Sequence, residues 1–172
     1  PERGLVSPVQ FIPLAEETGL ILTLGRWVLH MACKTLAQWK TDPHLRGLTM
    51  AVNVSSRQFR NNSFVDDVAH ALAFNEAPAH RLKLELTETL LLDDMPAAIE
   101  RMNLLKARGI RFSIDDFGTG YSSMAYLQKL PLDQLKIDRS FVAALPDDSG
   151  SLAIIRAIHA LALSLDLEVI AE

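Results

Sequence analysis

Two adjacent aspartates, Asp115 and Asp116, end a short apolar run and are followed at once by a glycine-rich segment. Adjacent carboxylates repel each other, so an ordered pair usually needs a cation to neutralise it. Hard divalent ions prefer oxygen ligands, and a metal site is therefore the first function that this pair suggests. Gly118 and Gly120 allow the backbone to turn sharply and to come close to a ligand. An exposed turn is the alternative interpretation.

Other polar residues end or follow short apolar runs along the chain. They are Asn53, Glu85, Glu88, Lys136, Asp138 and Glu172. Glu85 lies inside an apolar strand pattern, where an unpaired buried carboxylate would be costly, so it favours a functional role over a solvated face. Asn53 in a turn, Glu88 as an acid at a helix start and Lys136 on the surface remain alternative interpretations.

Composition limits the classes of function. The chain has 172 residues, of which 49% are hydrophobic and 22% charged, as expected of one soluble globular domain. Its net charge of -4 supplies no overall basic field that would attract DNA or RNA. No apolar run approaches the ~20 residues that span a bilayer. The single cysteine, Cys33, fits a reducing compartment, so we expect a cytoplasmic domain, with membrane tethering through another domain left open.

Apolar periodicity predicts alternating helices and strands after two helices at the start. The first helix begins at Ser7-Pro8, with Ser7 and Gln10 as a capping box, and ends at Gly19; the second covers residues 20–40. Strands are predicted at residues 48–54, 82–86, 110–114, 135–137 and 167–171. Helices are predicted at residues 64–74, 96–107 and 151–163, with a short one after Ser122.

The alternation predicts an α/β fold with right-handed βαβ units and a parallel sheet. Two architectures are compatible with five such strands: an open doubly wound sheet and an arc of a (β/α)₈ barrel. Polar residues at the C-terminal ends of all five strands favour the barrel, because barrel active sites collect there. A complete barrel typically needs about 250 residues, so roughly three strands would lie outside these residues.

Five motifs, taken together, resemble those of the EAL domain family, the cyclic di-GMP phosphodiesterases of bacterial signalling. The motifs are Asn53-Val54-Ser55, Glu85-Leu86-Thr87-Glu88, Asp115-Asp116-Phe117-Gly118-Thr119-Gly120-Tyr121-Ser122-Ser123, Lys136-Ile137-Asp138 and Val169-Ile170-Ala171-Glu172. They occur in the family's order and spacing, and residues 8–16 also resemble its N-terminal segment. The resemblance covers essentially the whole chain.

The resemblance implies a modified (β/α)₈ barrel that hydrolyses cyclic di-GMP to linear pGpG with two Mg²⁺ or Mn²⁺ ions. Asn53 and Glu85 would be ligands of the first metal. Asp115 would bridge both metals, and Asp116 and Glu172 would bind the second. Together with Lys136, the residues Glu85, Asp115 and Asp116 would form the catalytic group.

The same resemblance implies roles for residues around the metals. Lys136 would orient the attacking water and stabilise the developing charge. Glu88 would anchor the loop of residues 118–123, with Ser122 as its partner, and Asp138 is a weaker candidate for substrate binding. The family also implies a homodimer and a sensory or GGDEF-type domain elsewhere in the protein.

The chain departs from the family pattern at both ends. The Glu-Ala-Leu signature, whose Glu is a metal ligand, and a neighbouring substrate-binding Arg would precede Pro1, while a further Glu and a Gln would follow Glu172. We therefore expect residues 1–172 to form a single EAL-type domain truncated at both ends and inactive by itself. A non-catalytic receptor for cyclic di-GMP, or a protein-interaction domain, is the alternative function, and the residue at the signature Glu position would discriminate between the two.

Overall fold

The computed structural model describes residues 4–92, 94–119 and 127–172. Within them, five parallel strands form one sheet. They are β1 (Met50–Asn53), β2 (Leu82–Thr87), β3 (Arg111–Phe117), β4 (Gln134–Ile137) and β5 (Glu168–Ala171). All five lie where the periodicity predicts strands, with boundaries shifted by a few residues. The short helix predicted after Ser122 falls largely outside the described residues.

Eight α-helices and one 3₁₀ turn at Ala79–Arg81 accompany the sheet in the described part of the chain. The helices are α1 (Pro8–Thr18), α2 (Leu20–Trp39), α3 (Ser56–Phe59), α4 (Phe64–Asn75), α5 (Glu88–Leu92), α6 (Met95–Lys106), α7 (Arg139–Ala143) and α8 (Ser149–Ser164). Among these residues no helix is both long and apolar enough to cross a membrane.

The start of α1 corrects one expectation. The helix begins after Ser7 and ends at Gly19, whose φ of 81° is the left-handed conformation that glycine adopts readily. The predicted capping box is wrong, however, because the Ser7 side chain makes no capping hydrogen bond. The Gln10 amide donates instead to the Ser7 carbonyl oxygen at 2.9 Å, and Pro8 supplies the preorganised first turn.

The strand order distinguishes the two architectures left open by the periodicity. The strands neighbour one another in chain order, β1-β2-β3-β4-β5, and every pair is parallel. A doubly wound sheet reverses its order at a switch point, whereas a barrel adds strands in one direction. The order therefore indicates an arc of a barrel, with the helices on its outer face.

Side chains alternate between the two faces of the sheet, and the two faces differ sharply. The outer face carries apolar residues that pack in one core with α6 and α8, namely Leu84, Leu86, Phe112, Ile114, Leu135 and Ile137. The inner face, which would point into a barrel, carries polar side chains at the intervening positions. They are Lys83, Glu85, Ser113, Asp115, Gln134 and Lys136.

Candidate metal centre

Lys136 on β4 lies at the centre of a group of carboxylates on the inner face. Its ammonium donates to Asp115 Oδ1 at 2.8 Å and to Glu85 Oε2 at 3.2 Å. Glu172 Oε1, just beyond β5, forms a third ion pair at 2.6 Å. Lys136 is 9% exposed, so this cation is held away from solvent by three acids from three different strands or strand ends. We call Lys136, Glu85, Asp115, Asp116 and Glu172 the acidic cluster.

The sheet register explains why these residues meet. Asn53 pairs with Glu85 across β1 and β2, and Thr87 pairs with Asp115 across β2 and β3. Because the strands are parallel, their C-terminal ends lie along one edge of the sheet. That edge is where barrel active sites are built. Asn53 and Glu85, which the motifs assign to one metal, are thus direct neighbours across β1 and β2.

The paired aspartates lie at an irregularity of the sheet. Between Ile114 and Phe117, β3 advances three residues while β4 advances two, which leaves one extra residue on β3. Such bulges re-aim side chains and are common near active sites. Asp116 has a φ of 53°, a left-handed conformation that is uncommon outside glycine. The Asp116 amide donates to Asp115 Oδ1 at 3.1 Å, and the Thr119 hydroxyl donates to the Asp116 carbonyl at 2.9 Å.

The donor set fits a hard divalent cation. Asp115, Asp116 and Glu172 each offer a carboxylate oxygen, and these atoms all lie within 4.8 Å of one another. Burial raises the pKa of Asp116 above its usual value, and the neighbouring charge of Asp115 raises it further. Lys136 alone does not balance the acids around it, so an oxygen-preferring cation would relieve the remaining repulsion. The cluster could therefore hold a metal ion.

Lys136 remains a cation in this environment. Burial favours its neutral form, but hydrogen bonds to Asp115, Glu172 and Glu85 outweigh burial and raise the pKa of Lys136 well above its usual value. A lysine with a raised pKa cannot accept a proton near neutral pH. In this arrangement Lys136 donates hydrogen bonds and supplies positive charge.

Asp138 lies next to the acidic cluster through its contact with Asp116. The proximity of the Asp138 carboxylate contributes to the raised pKa of Asp116. Asp138 also caps α7, because its Oδ1 accepts from the Ser140 amide at 2.8 Å and from the Ser140 hydroxyl. These hydrogen bonds from Ser140 hold the pKa of Asp138 below its usual value.

Glu88, at the start of α5, has an unusual environment for a helix-start acid. The residue is 8% exposed, and both carboxylate oxygens are buried without a hydrogen-bond partner in the described part of the chain. A buried acceptor without a donor costs free energy, more so when it is charged. The Glu88 carboxylate therefore needs a hydrogen-bond donor from outside the described residues. Ser122, its predicted partner, lies outside the described residues, so that pairing is untested.

A second polar group on the inner face was missed in the sequence. It consists of Lys83, Ser113, Gln134 and Glu168, and we call it the Gln134 layer. Gln134 Oε1 accepts from Lys83 Nζ at 3.0 Å and from the Ser113 hydroxyl at 3.3 Å, while Gln134 Nε2 donates to Glu168 Oε2 at 3.2 Å. The available signal was spacing, since Lys83, Ser113 and Gln134 each stand two positions before a residue of the acidic cluster.

Comparisons with known proteins agree with this geometry. MucR of Pseudomonas aeruginosa, described as a bifunctional diguanylate cyclase/cyclic di-GMP phosphodiesterase, is 45% identical over 172 residues, covering 100% of this chain and 25% of MucR. The cyclic di-GMP phosphodiesterase NbdA of the same organism is 44% identical over 172 residues, covering 100% of this chain and 22% of NbdA. The chain thus spans about a quarter of the length of these relatives.

A solved structure provides the comparison for the fold. The PaMucR phosphodiesterase in complex with c-di-GMP superposes with a TM-score of 0.95 at 44% sequence identity, covering 99% of this chain and 69% of that chain. This similarity confirms the barrel-like α/β architecture that the strand order indicates. The EAL domain family matches residues 1–172. The inner-face motifs, the strand order and these matches together show that the chain belongs to the EAL domain family.

Proposed function

We propose that this EAL domain, in the full-length protein, hydrolyses cyclic di-GMP to linear pGpG by a two-metal mechanism. The observation that supports the proposal most strongly is the acidic cluster, in which one buried lysine is surrounded by three carboxylates from separate strands. The choice of substrate is supported by MucR and NbdA, two cyclic di-GMP phosphodiesterases that are 45% and 44% identical to this chain.

The ligands are assigned from the motifs and from the geometry of the cluster. Asn53 and Glu85 would hold one ion, Asp116 and Glu172 would hold the other, and Asp115 would contribute to both. Mg²⁺ or Mn²⁺ fits these donors, all of which are oxygen atoms. When bound, such ions lower the pKa of a water molecule and offset charge on phosphoryl oxygens. The short distances among Asp115, Asp116 and Glu172 support the second of the two sites.

Lys136 acts as a fixed hydrogen-bond donor in this proposal. Its ammonium already donates to Glu85 and Asp115, and it forms an ion pair with Glu172. It orients the attacking water and stabilises charge that develops on the phosphoryl oxygens. Glu85 and Asp115 hold the ammonium in place on the inner face at 3.2 and 2.8 Å.

Two further residues serve the substrate and the loop. Asp138 lies beside Asp116 at the edge of the site and contributes to substrate binding. Glu88 anchors the loop of residues 118–123 through donors such as Ser122. Its carboxylate is buried and has no hydrogen-bond partner among the described residues, which supports this role because an anchor residue needs a donor from another segment. A homodimer, a linked sensory or GGDEF-type domain and a cytoplasmic location remain predictions.

The proposal is tested by turnover of cyclic di-GMP in the full-length protein with Mg²⁺ or Mn²⁺, with pGpG detected by chromatography. The key variant is Asp116→Asn, and Asp166→Asn is its matched control. Both aspartates have left-handed backbones, with φ of 53° and 56°, but Asp166 precedes β5 at the opposite edge of the sheet. We expect Asp116→Asn to lose turnover and Asp166→Asn to retain it.

If the wild-type protein bound cyclic di-GMP without hydrolysing it, the proposed enzyme function would be rejected in favour of a receptor function. Equal activity of Asp116→Asn and wild type would show that Asp116 is not a required metal ligand. Absence of both binding and turnover would reject cyclic di-GMP as the ligand.

A further inference from the structure

The Gln134 layer joins four strands through one side chain. Gln134 on β4 contacts Lys83 on β2, Ser113 on β3 and Glu168 on β5 at 3.0, 3.3 and 3.2 Å. Gln134 is 3% exposed, and Ser113 is fully buried. Lys83 also approaches Glu168 at 3.8 Å, so its charge has a partner within the layer. The amide oxygen and the amide nitrogen of Gln134 therefore each have at least one hydrogen-bond partner.

The layer adjoins the acidic cluster on the inner face and lies nearer the N-terminal ends of the same strands. Lys83 precedes Glu85, Ser113 precedes Asp115, and Gln134 precedes Lys136, each by two positions. Two residues advance a strand by about 6.6 Å, and they point to the same face. A shift of β4 at Gln134 would therefore be carried to the Lys136 ammonium.

The pairing of β3 with β4 is regular at Gln134 and irregular near Lys136. Ser113 with Gln134 and Ile114 with Leu135 are regular pairs of β3 and β4, but the pairing then slips before Phe117 and Ile137. The contact between Asp115 and Lys136 lies within the slipped stretch. The hydrogen bond between the Ser113 and Gln134 side chains joins the first of these regular pairs, on the N-terminal side of the slip.

We propose that Gln134 is a positioning residue, which holds β4 against β2, β3 and β5 so that Lys136 reaches Glu85 and Asp115. This inference rests on the proposed function and deepens it, because Lys136 and its acids belong to the metal site. Misplacement of a reacting group by about 1 Å can cost about 10²-fold in rate. Metal affinity also changes when groups that orient the ligands are lost, by about 10–100-fold.

The chemistry of the layer suggests a rescue experiment. Gln134 must accept on one atom and donate on the other, which an amide does and a thioether cannot. Gln134→Met removes all three contacts at similar volume. Gln134→Glu keeps an acceptor for Lys83 and Ser113 but places a carboxylate against Glu168. The double variant Gln134→Glu/Glu168→Gln restores a donor at position 168 and keeps the charge of the layer unchanged.

We would measure kcat, KM, the Mn²⁺ dissociation constant and the melting temperature of the full-length protein. For Gln134→Met we expect kcat to fall about tenfold or more with little change in KM, and Mn²⁺ to bind about tenfold more weakly. The double variant should recover most of both losses, whereas Gln134→Glu alone should not. Gln38→Met on the exposed side of α2 is the matched control and should leave both quantities unchanged.

A purely structural role would lower the melting temperature of Gln134→Met while the folded protein kept its kcat and Mn²⁺ affinity, and that result would overturn the inference. If the wild-type protein does not hydrolyse cyclic di-GMP, the proposed function fails, but the Mn²⁺ titration still tests the positioning. A crystal structure of metal-free Gln134→Met gives a third readout. We expect Lys136 Nζ beyond hydrogen-bond distance of Glu85, and an unchanged contact would contradict the inference.

Discussion

Two lysines are buried on the same face of the same sheet, yet their surroundings differ in charge. Lys136 is surrounded by Glu85, Asp115 and Glu172, with Asp116 close by. Lys83 meets one neutral amide and a single carboxylate, Glu168, whose side chain is 62% exposed. The acidic cluster therefore has an excess of negative charge, whereas the Gln134 layer is balanced.

The difference shows how one polar face serves two purposes. A balanced layer satisfies its own donors and acceptors and holds strands together. A group with surplus carboxylates is poorly satisfied by itself, and it gains when a cation arrives. The bulge at Asp115 and Asp116 lies only beside the unbalanced group. Charge balance, more than burial, distinguishes the acidic cluster from the Gln134 layer.

The largest expected effect compares two residues of β3 that share a face. Asp115→Ala removes the proposed shared metal ligand, and Ser113→Ala removes one hydrogen bond of the Gln134 layer. We expect Asp115→Ala to lower turnover by about 10³-fold or more, because loss of a single charge-stabilising group already costs about 10²–10³-fold. Ser113→Ala should cost far less. Similar losses of cyclic di-GMP turnover in both variants would contradict the distinction between the two groups.

The second comparison exchanges each lysine for methionine. In Lys136→Met the loss of a positioned donor should lower kcat by about 10²-fold with little change in KM. The metal-free variant should also lose about 3 kcal/mol of unfolding free energy, since its acids lose their shared cation. Lys83→Met should be milder in both respects, because Glu168 is exposed to water.

Steady-state kinetics and urea unfolding measure the two effects. A large rise in KM with normal kcat would reassign Lys136 to substrate holding. An equal loss of stability in the two methionine variants would show that the charge surplus around Lys136 has no energetic consequence.

The third prediction concerns metal binding as a stabilising force. Mn²⁺ at 100 times its dissociation constant should stabilise the folded wild-type protein by about 2.7 kcal/mol for one site. Glu172→Ala should reduce this gain, because Glu172 is one of three carboxylates within 4.8 Å. Calorimetric melting with Mn²⁺ and with EDTA measures it. If Glu172→Ala kept the full Mn²⁺-dependent stabilisation, the second metal site would not include Glu172.

The smallest effect is expected at Glu168. In Glu168→Gln the side chain can still accept from Gln134, and only a 3.8 Å pairing with Lys83 loses its charge. Exposed ion pairs contribute at most about 1 kcal/mol, so the unfolding free energy should change by less than that. Glu172→Gln is the matched change in the acidic cluster and should weaken Mn²⁺ binding. A large effect of Glu168→Gln on Mn²⁺ binding would show that the charge of the Gln134 layer acts on the metal site.

Most of the strands and the acidic cluster could be predicted from the sequence, and the reasons are local. Strands repeat as short apolar runs, and each motif residue stands in or just after the C-terminal half of its run. Parallel neighbouring strands therefore predict that these side chains lie close together at one edge of the sheet, as they do for Glu85, Asp115, Lys136 and Glu172. The capping box at Ser7 failed because a Ser at a helix start need not turn its side chain toward the helix.

The Gln134 layer could not be predicted by the same reasoning. Lys83 and Gln134 are ordinary surface residue types, and nothing nearby in the chain marks them as partners. Their contact joins residues 51 positions apart and needs both strands in register. The bulge beside Asp116 likewise depends on how two distant segments pair.

By itself, the sequence determined which residues are candidates for chemistry, because residue type and spacing along each strand are local properties. It also determined the alternation that separates an apolar outer face from a polar inner face. Only the tertiary structure decided which charges remain unbalanced. Whether a buried lysine such as Lys136 or Lys83 faces three carboxylates or one depends on the neighbours that other strands bring, and those neighbours are set by strand order and register.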